Sequence, residues 1–178
     1  MPVMAPVMEL RLLEDAKLSG DVIVVDDSRT ALAVMGRRLT QLGYTVVLVD
    51  NGMAALDMVQ ARRFDAMLLD MTMPGMSGLS VVREVRASPV TAHLPVLMMT
   101  ARSDPAAAID TLNAGADDHV VKPFDIDVMA ARIERLLARA REVDALRRAN
   151  AALDARIAQC AVEISELRMA LAEARVRA

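Results

Sequence analysis

From Asp21 onward, short apolar runs alternate with stretches in which apolar residues recur at helical spacing. The runs lie at 22–26, 45–49, 66–70, 95–99 and 119–121 and are filled with Val, Ile, Leu and Met. The helical stretches lie between them, at about 29–42, 52–62, 78–87 and 104–114. Strands that are continuously apolar, separated by amphipathic helices, predict a parallel sheet covered on both faces. The expected architecture is a doubly wound α/β domain over residues 21–140. Ser28 and Asp125 are expected helix N-caps, and Gly43 and Gly115 are expected C-terminal stops. Residues 1–20 read as a Pro-interrupted, then charged N-terminal extension, with a short helix through Met8–Ala16.

Beyond residue 140 the period changes. Val143, Leu146, Asn150, Leu153, Ile157, Cys160, Ile164, Leu167, Leu171 and Ala174 follow an unbroken 3-4 spacing with no Gly or Pro. These are the a and d positions of a coiled coil, roughly 48 Å of helix at 1.5 Å per residue. The expected third segment is therefore a dimerisation helix over 141–178. A polar Asn150 at an a position fixes register in a two-stranded parallel pairing. Glu142 with Arg147, and Glu163 with Arg168, would meet the partner helix with opposite signs. A parallel homodimer through residues 143–174 is the expectation. One helix lying back on its own domain explains the stripe less well, because so long a seam outruns a small domain.

Composition narrows the function classes. Apolar residues at 54% suffice for a core, but aromatics are only 2%, so aliphatics and Met must fill it. Base stacking on aromatics is not expected. A net charge of -3 supplies no basic field for phosphate backbones. From Arg132 to Arg177 there are 10 Arg, against 9 Asp and Glu between Asp125 and Glu173, which argues against a DNA-binding basic zipper. Direct nucleic-acid binding is thus not expected. The lone Cys160 cannot form an internal disulfide and suits a reducing compartment; at a d position it reads as a small apolar seam residue. No apolar run approaches membrane-spanning length, and Met1–Pro6 lacks the basic and long apolar regions of a secretory signal. A cytoplasmic protein without a membrane partner is expected.

The candidate chemistry sits at strand ends. Asp70 closes the run Ala66-Met67-Leu68-Leu69 and is followed by Met71-Thr72-Met73-Pro74-Gly75-Met76-Ser77-Gly78, a turn-rich segment. Asp26-Asp27 closes Val22-Ile23-Val24-Val25 in the same way. In an open parallel sheet the carboxyl ends of the strands form the rim where ligands bind. Three carboxylates on one rim repel one another unless a cation sits among them, which points to a divalent metal. Lys122 ends the last apolar run before Pro123, and only Lys17 and Lys122 are lysine in a chain that otherwise uses Arg. That choice points to a need for a compact ammonium. His93 has no companion ligands at zinc spacing.

Together, Val22–Ser28, Asp70–Gly78, Met98-Met99-Thr100-Ala101 and Lys122-Pro123-Phe124 resemble the receiver domain of bacterial two-component response regulators. The resemblance covers about residues 21–140 and implies a flavodoxin-like, five-stranded parallel sheet in order 2-1-3-4-5, its last helix running on into the coiled coil. It implies that Asp70 accepts a phosphoryl group from a histidine kinase or phosphotransfer protein. Asp27, Asp70 and the backbone carbonyl of Thr72 would hold Mg²⁺, with Asp26 helping through a metal-bound water. Lys122 and Thr100 would contact phosphoryl oxygens. A cis peptide between Lys122 and Pro123 is also implied. Thr72 and Arg102 occupy positions that tune phosphate lifetime, and the small Ala101 leaves the site accessible.

One position departs from the pattern: His119 stands where the family has a Tyr or Phe that swings inward as the Thr moves. An imidazole can fill that slot, but burying it costs more, so a half-exposed His at a strand end is expected. Apart from its own phosphorylation and dephosphorylation no enzymatic activity is expected, and the downstream protein is unknown. The rival reading is the regulatory front part or scaffold of a system whose catalytic output, a cyclic-dinucleotide enzyme or kinase, lies on another polypeptide. A dehalogenase-type phosphatase would want a second Asp two residues past the nucleophile, where Thr72 stands.

Overall fold

The computed structural model describes residues 19–101 and 105–177. The strands are β1 (Asp21–Val25), β2 (Thr45–Val49), β3 (Ala66–Asp70), β4 (Val96–Ala101) and β5 (Asp118–Lys122). Between and after them lie α1 (Arg29–Leu42), α2 (Gly52–Ala61), α3 (Gly78–Ala87), α4 (Pro105–Asn113) and α5 (Ile126–Arg177). All strand pairs are parallel, in the order β2-β1-β3-β4-β5. The expected N-terminal helix at Met8–Ala16 and the lifetime position Arg102 lie outside the described residues.

Side chains alternate across the sheet, so each strand feeds two cores. Ile23, Val25, Met67, Leu69, Val96 and Met98 pack with Ala55 and Val59 of α2 and with Val81, Val82 and Val85 of α3. Val22, Val24, Ala66, Leu68, Leu97, Met99 and Val120 face the other way, onto Leu32, Met35 and Leu39 of α1 and Met129, Ile133, Leu136 and Leu137 of α5. Both faces are therefore covered, as continuous apolar strands require.

Local signals set the boundaries. Ser28, Asn51 and Ser77 cap α1, α2 and α3, each accepting from the backbone N–H three residues on. Gly43 ends α1 at φ 107°, a left-handed position that glycine adopts without a Cβ penalty. Two differences from the apolar pattern are instructive. β4 runs past its apolar run to Ala101, because pairing continues from Thr100 to Val121 and from Ala101 to Lys122. β2 is as apolar as its neighbours yet half-exposed, because it is the edge strand and pairs only with β1.

Contact density divides the described residues into one compact unit ending at Ala138 and a second from Arg139 on. The second is entirely helical. Among the described residues no helix is long and apolar enough to cross a membrane.

Candidate functional site

Strand register decides which polar groups meet. β1 and β3 run side by side, with Val25 paired to Leu69, so Asp26, just past β1, and Asp70, the last residue of β3, come next in register at the same end of the sheet. Asp26 and Asp70 are nonetheless almost fully buried, at 1% and 7% exposure, whereas Asp27 is exposed. Oxygen atoms of the three carboxylates lie within 4.8 Å of one another.

Lys122 reaches them from the end of β5. Its Nζ donates to Asp26 Oδ2 at 2.7 Å and to Asp70 Oδ1 at 2.9 Å. The other oxygen of Asp26 accepts the Ser28 backbone N–H at 2.8 Å. Both oxygens of Asp26 are thus engaged within the protein. The Lys122–Pro123 peptide is cis.

Among the described residues, one ammonium faces three carboxylates. Burial pushes the Asp70 carboxyl above the ordinary aspartate range; Lys122 opposes this, and the charges on Asp26 and Asp27 add to it. Burial also disfavours the Lys122 ammonium, but its hydrogen bonds to Asp26 and Asp70 outweigh that penalty and hold its pKa above the ordinary lysine value. The pocket carries excess negative charge and hard oxygen donors, which is the chemistry a small divalent cation satisfies. The residues present fit Mg²⁺.

The remaining candidates take up defined places. Thr100 is buried near the end of β4, and its hydroxyl donates a long bond, 3.4 Å, to the Val120 carbonyl. Thr72 is exposed in the loop two residues past Asp70. His119 is half-buried on β5, in register with Met98, and its backbone N–H donates to the Asp118 carboxylate at 2.9 Å. His93 is exposed in the loop before β4, away from any metal-ligand cluster among the described residues.

Gly78 is a site residue that strand-end reasoning missed. A Cβ there would lie 2.2 Å from the Asp70 carbonyl oxygen and 3.0 Å from Met71 Cα. Only glycine lets the start of α3 pass so close to the backbone that carries Asp70, and the Gly78 N–H donates to the Met71 carbonyl at 3.0 Å. The available signal was a glycine placed just inside a helix start, behind the N-cap Ser77.

An open, doubly wound parallel sheet with an acidic pocket and a strand-end lysine at its carboxyl rim defines a flavodoxin-like α/β domain with its site at the usual edge. Residues 22–134 match the response regulator receiver domain, and the chain belongs to that family. Response regulator MprA of Mycobacterium tuberculosis (strain ATCC 25618 / H37Rv) is 40% identical over 128 residues, covering 72% of this chain and 55% of the relative. The chain therefore spans about half the length of the curated relatives it matches. Among solved structures, Vibrio cholerae chemotaxis protein CheY4 is similar at a TM-score of 0.64 and 30% identity, over 67% of this chain and 99% of that one. The receiver domain of sensor histidine kinase PA1611 from Pseudomonas aeruginosa, solved with a magnesium ion in its active-site cleft, gives 0.64 and 29% over 68% and 99%.

Proposed function

We propose that this receiver domain takes a phosphoryl group from a histidine kinase or phosphotransfer protein onto Asp70 and relays that state through a dimeric coiled coil over residues 143–174. The observation that carries the reading is the convergence of Asp26, Asp27 and Asp70 with the Lys122 ammonium, 2.9 Å from the Asp70 carboxylate. Phosphoryl transfer brings anions together, so catalysis is mostly positioning and charge neutralisation.

Asp70 attacks the phosphorus with one carboxylate oxygen while the phosphoramidate bond to the donor histidine breaks. Asp27, Asp70 and the Thr72 carbonyl would hold Mg²⁺, and Asp26, with both oxygens already accepting hydrogen bonds, suits an outer role. When bound, Mg²⁺ supplies positive charge to the incoming phosphoryl oxygens and relieves carboxylate repulsion. Lys122 exchanges part of its hold on Asp70 for a phosphoryl oxygen. Thr100 gives up the long bond to Val120 and donates to another, with His119, on the neighbouring strand, as the accompanying switch residue. The chain acts here as a signalling module whose chemistry is confined to its own aspartate. The same reading places it in the cytoplasm.

Acetyl phosphate with Mg²⁺ should label the intact chain with one phosphate, and chelation with EDTA should abolish the label. Absence of label on the wild type, or equal label on Asp70→Asn, overturns the assignment.

A further inference from the structure

We infer that the partner of the C-terminal helix is a second copy of the same helix, parallel and in register. This rests on the coiled-coil part of the reading above and adds the partner's identity and alignment. α5 continues unbroken to Arg177 and leaves a row of large apolar side chains in solvent. Leu146, Leu153, Ile157, Ile164, Leu167 and Leu171 are between 50% and 67% exposed. Exposed aliphatic side chains at sustained 3-4 spacing require a covering helix.

The layer chemistry selects two parallel strands. The a positions hold Val143, Asn150, Ile157, Ile164 and Leu171; the d positions begin Leu146, Leu153, Cys160 and Leu167. Mostly β-branched residues at a with Leu at d favour a parallel dimer over higher assemblies, and one Asn at a reinforces that choice.

Alternative self-pairings each leave a defect. Full-overlap antiparallel pairing sets Asn150 against Leu167 and Arg147 against Arg168, an unpartnered buried amide beside a like-charge contact. A parallel slip of one heptad leaves one Asn150 facing Ile157 and its mate facing Val143. It also exchanges two opposite-sign contacts for Glu142 against Asp154 and Arg156 against Arg168. Only the in-register parallel pair brings Asn150 to its own copy while matching Glu142 with Arg147 and Glu163 with Arg168 on both sides. The seam is thus complementary to itself in charge, polarity and shape, which a second copy satisfies and an unrelated helix need not.

Cys160, exposed and unbonded, reports the alignment. In register it faces its own mate at a d layer; in the antiparallel pair it faces Ile157. The test uses the full chain. Sedimentation equilibrium under reducing conditions should give two chains per particle. Treatment of dilute protein with copper-phenanthroline should convert it to a disulfide-linked dimer on a non-reducing gel, and Cys160→Ser should abolish that band. Asn150→Val should keep the chains associated but admit larger assemblies. A single chain at tens of micromolar overturns self-pairing. Two chains without a Cys160 cross-link overturn the parallel register. Labelling of Asp70 by acetyl phosphate is measured separately, so failure of the phosphoacceptor reading is distinguishable from either outcome.

Discussion

The two ends of the sheet treat charge in opposite ways. At the end where the strands begin, Arg86 of α3 donates to the carbonyls of Gly115, Ala92 and Leu94 and to the Asp117 carboxylate, at 2.7–3.0 Å. Asp117 in turn accepts the Val96 N–H. Charge there is paired, and the donors of a planar guanidinium are matched to acceptors from two loop segments, 92–94 and 115–117. At the carboxyl rim, among the described residues, Asp26 and Asp70 share one ammonium and Asp27 stands beside them with no ion pair of its own. The first arrangement holds α3, β4 and β5 together; the second leaves an electrostatic imbalance of the kind a divalent cation satisfies. A site can be recognised by what its fold leaves unbalanced.

The sharpest way to break the contrast is to remove the ammonium from the rim. Lys122→Ala should slow labelling by acetyl phosphate roughly 100-fold, the effect of deleting one positioned donor to a developing anion. Its circular dichroism should stay that of the wild type. An unchanged labelling rate would mean that Lys122 serves only to hold Asp26 and Asp70. At the opposite end, Arg86→Ala should cost about 2–3 kcal/mol of unfolding free energy, because it orphans several carbonyls and a partly buried carboxylate. Arg86→Lys should recover little, since a point charge cannot span those acceptors. Urea denaturation measures both, and phosphate labelling of the folded Arg86→Ala protein should be nearly normal. A loss below about 0.5 kcal/mol would place the network with ordinary surface ion pairs.

Most of the fold was legible because its signals are local. Apolar runs, Ser28, Gly43 and the helical spacings lie within a few residues of the boundaries they set, and the strand-end chemistry of Asp26, Asp70 and Lys122 follows from where those runs stop. What sequence did not reveal depends on partners distant in the chain. Gly78 matters because α3 starts against the Asp70 carbonyl, and Arg86 because its acceptors lie up to 31 residues away. The direction of the Thr100 hydroxyl depends on β5 lying beside β4. The partly exposed β2 shows the same limit, since edge position is a property of strand order and not of the strand's own composition.

The smallest predicted effect tests the imbalance itself. Asp70 has a folded pKa above its ordinary 3.8, chiefly through burial, so the folded protein binds that proton more tightly than the unfolded chain. Stability from this group therefore falls as pH rises from about 4 through the raised folded value, and at neutral pH its ionised form is a net cost. Asp70→Asn removes that cost while leaving Lys122 its bond to Asp26. In EDTA at pH 7.5 the variant should melt slightly higher than the wild type, on the order of 2 °C for a chain of this length. The advantage should shrink as pH is lowered toward 4.5. Adding Mg²⁺ should raise the wild-type Tm and not that of the variant, because only a bound ligand contributes by mass action. A variant that melts lower in EDTA at neutral pH would show that the bond from Lys122 to Asp70 outweighs burial and carboxylate repulsion, leaving the rim as balanced as the end held by Arg86.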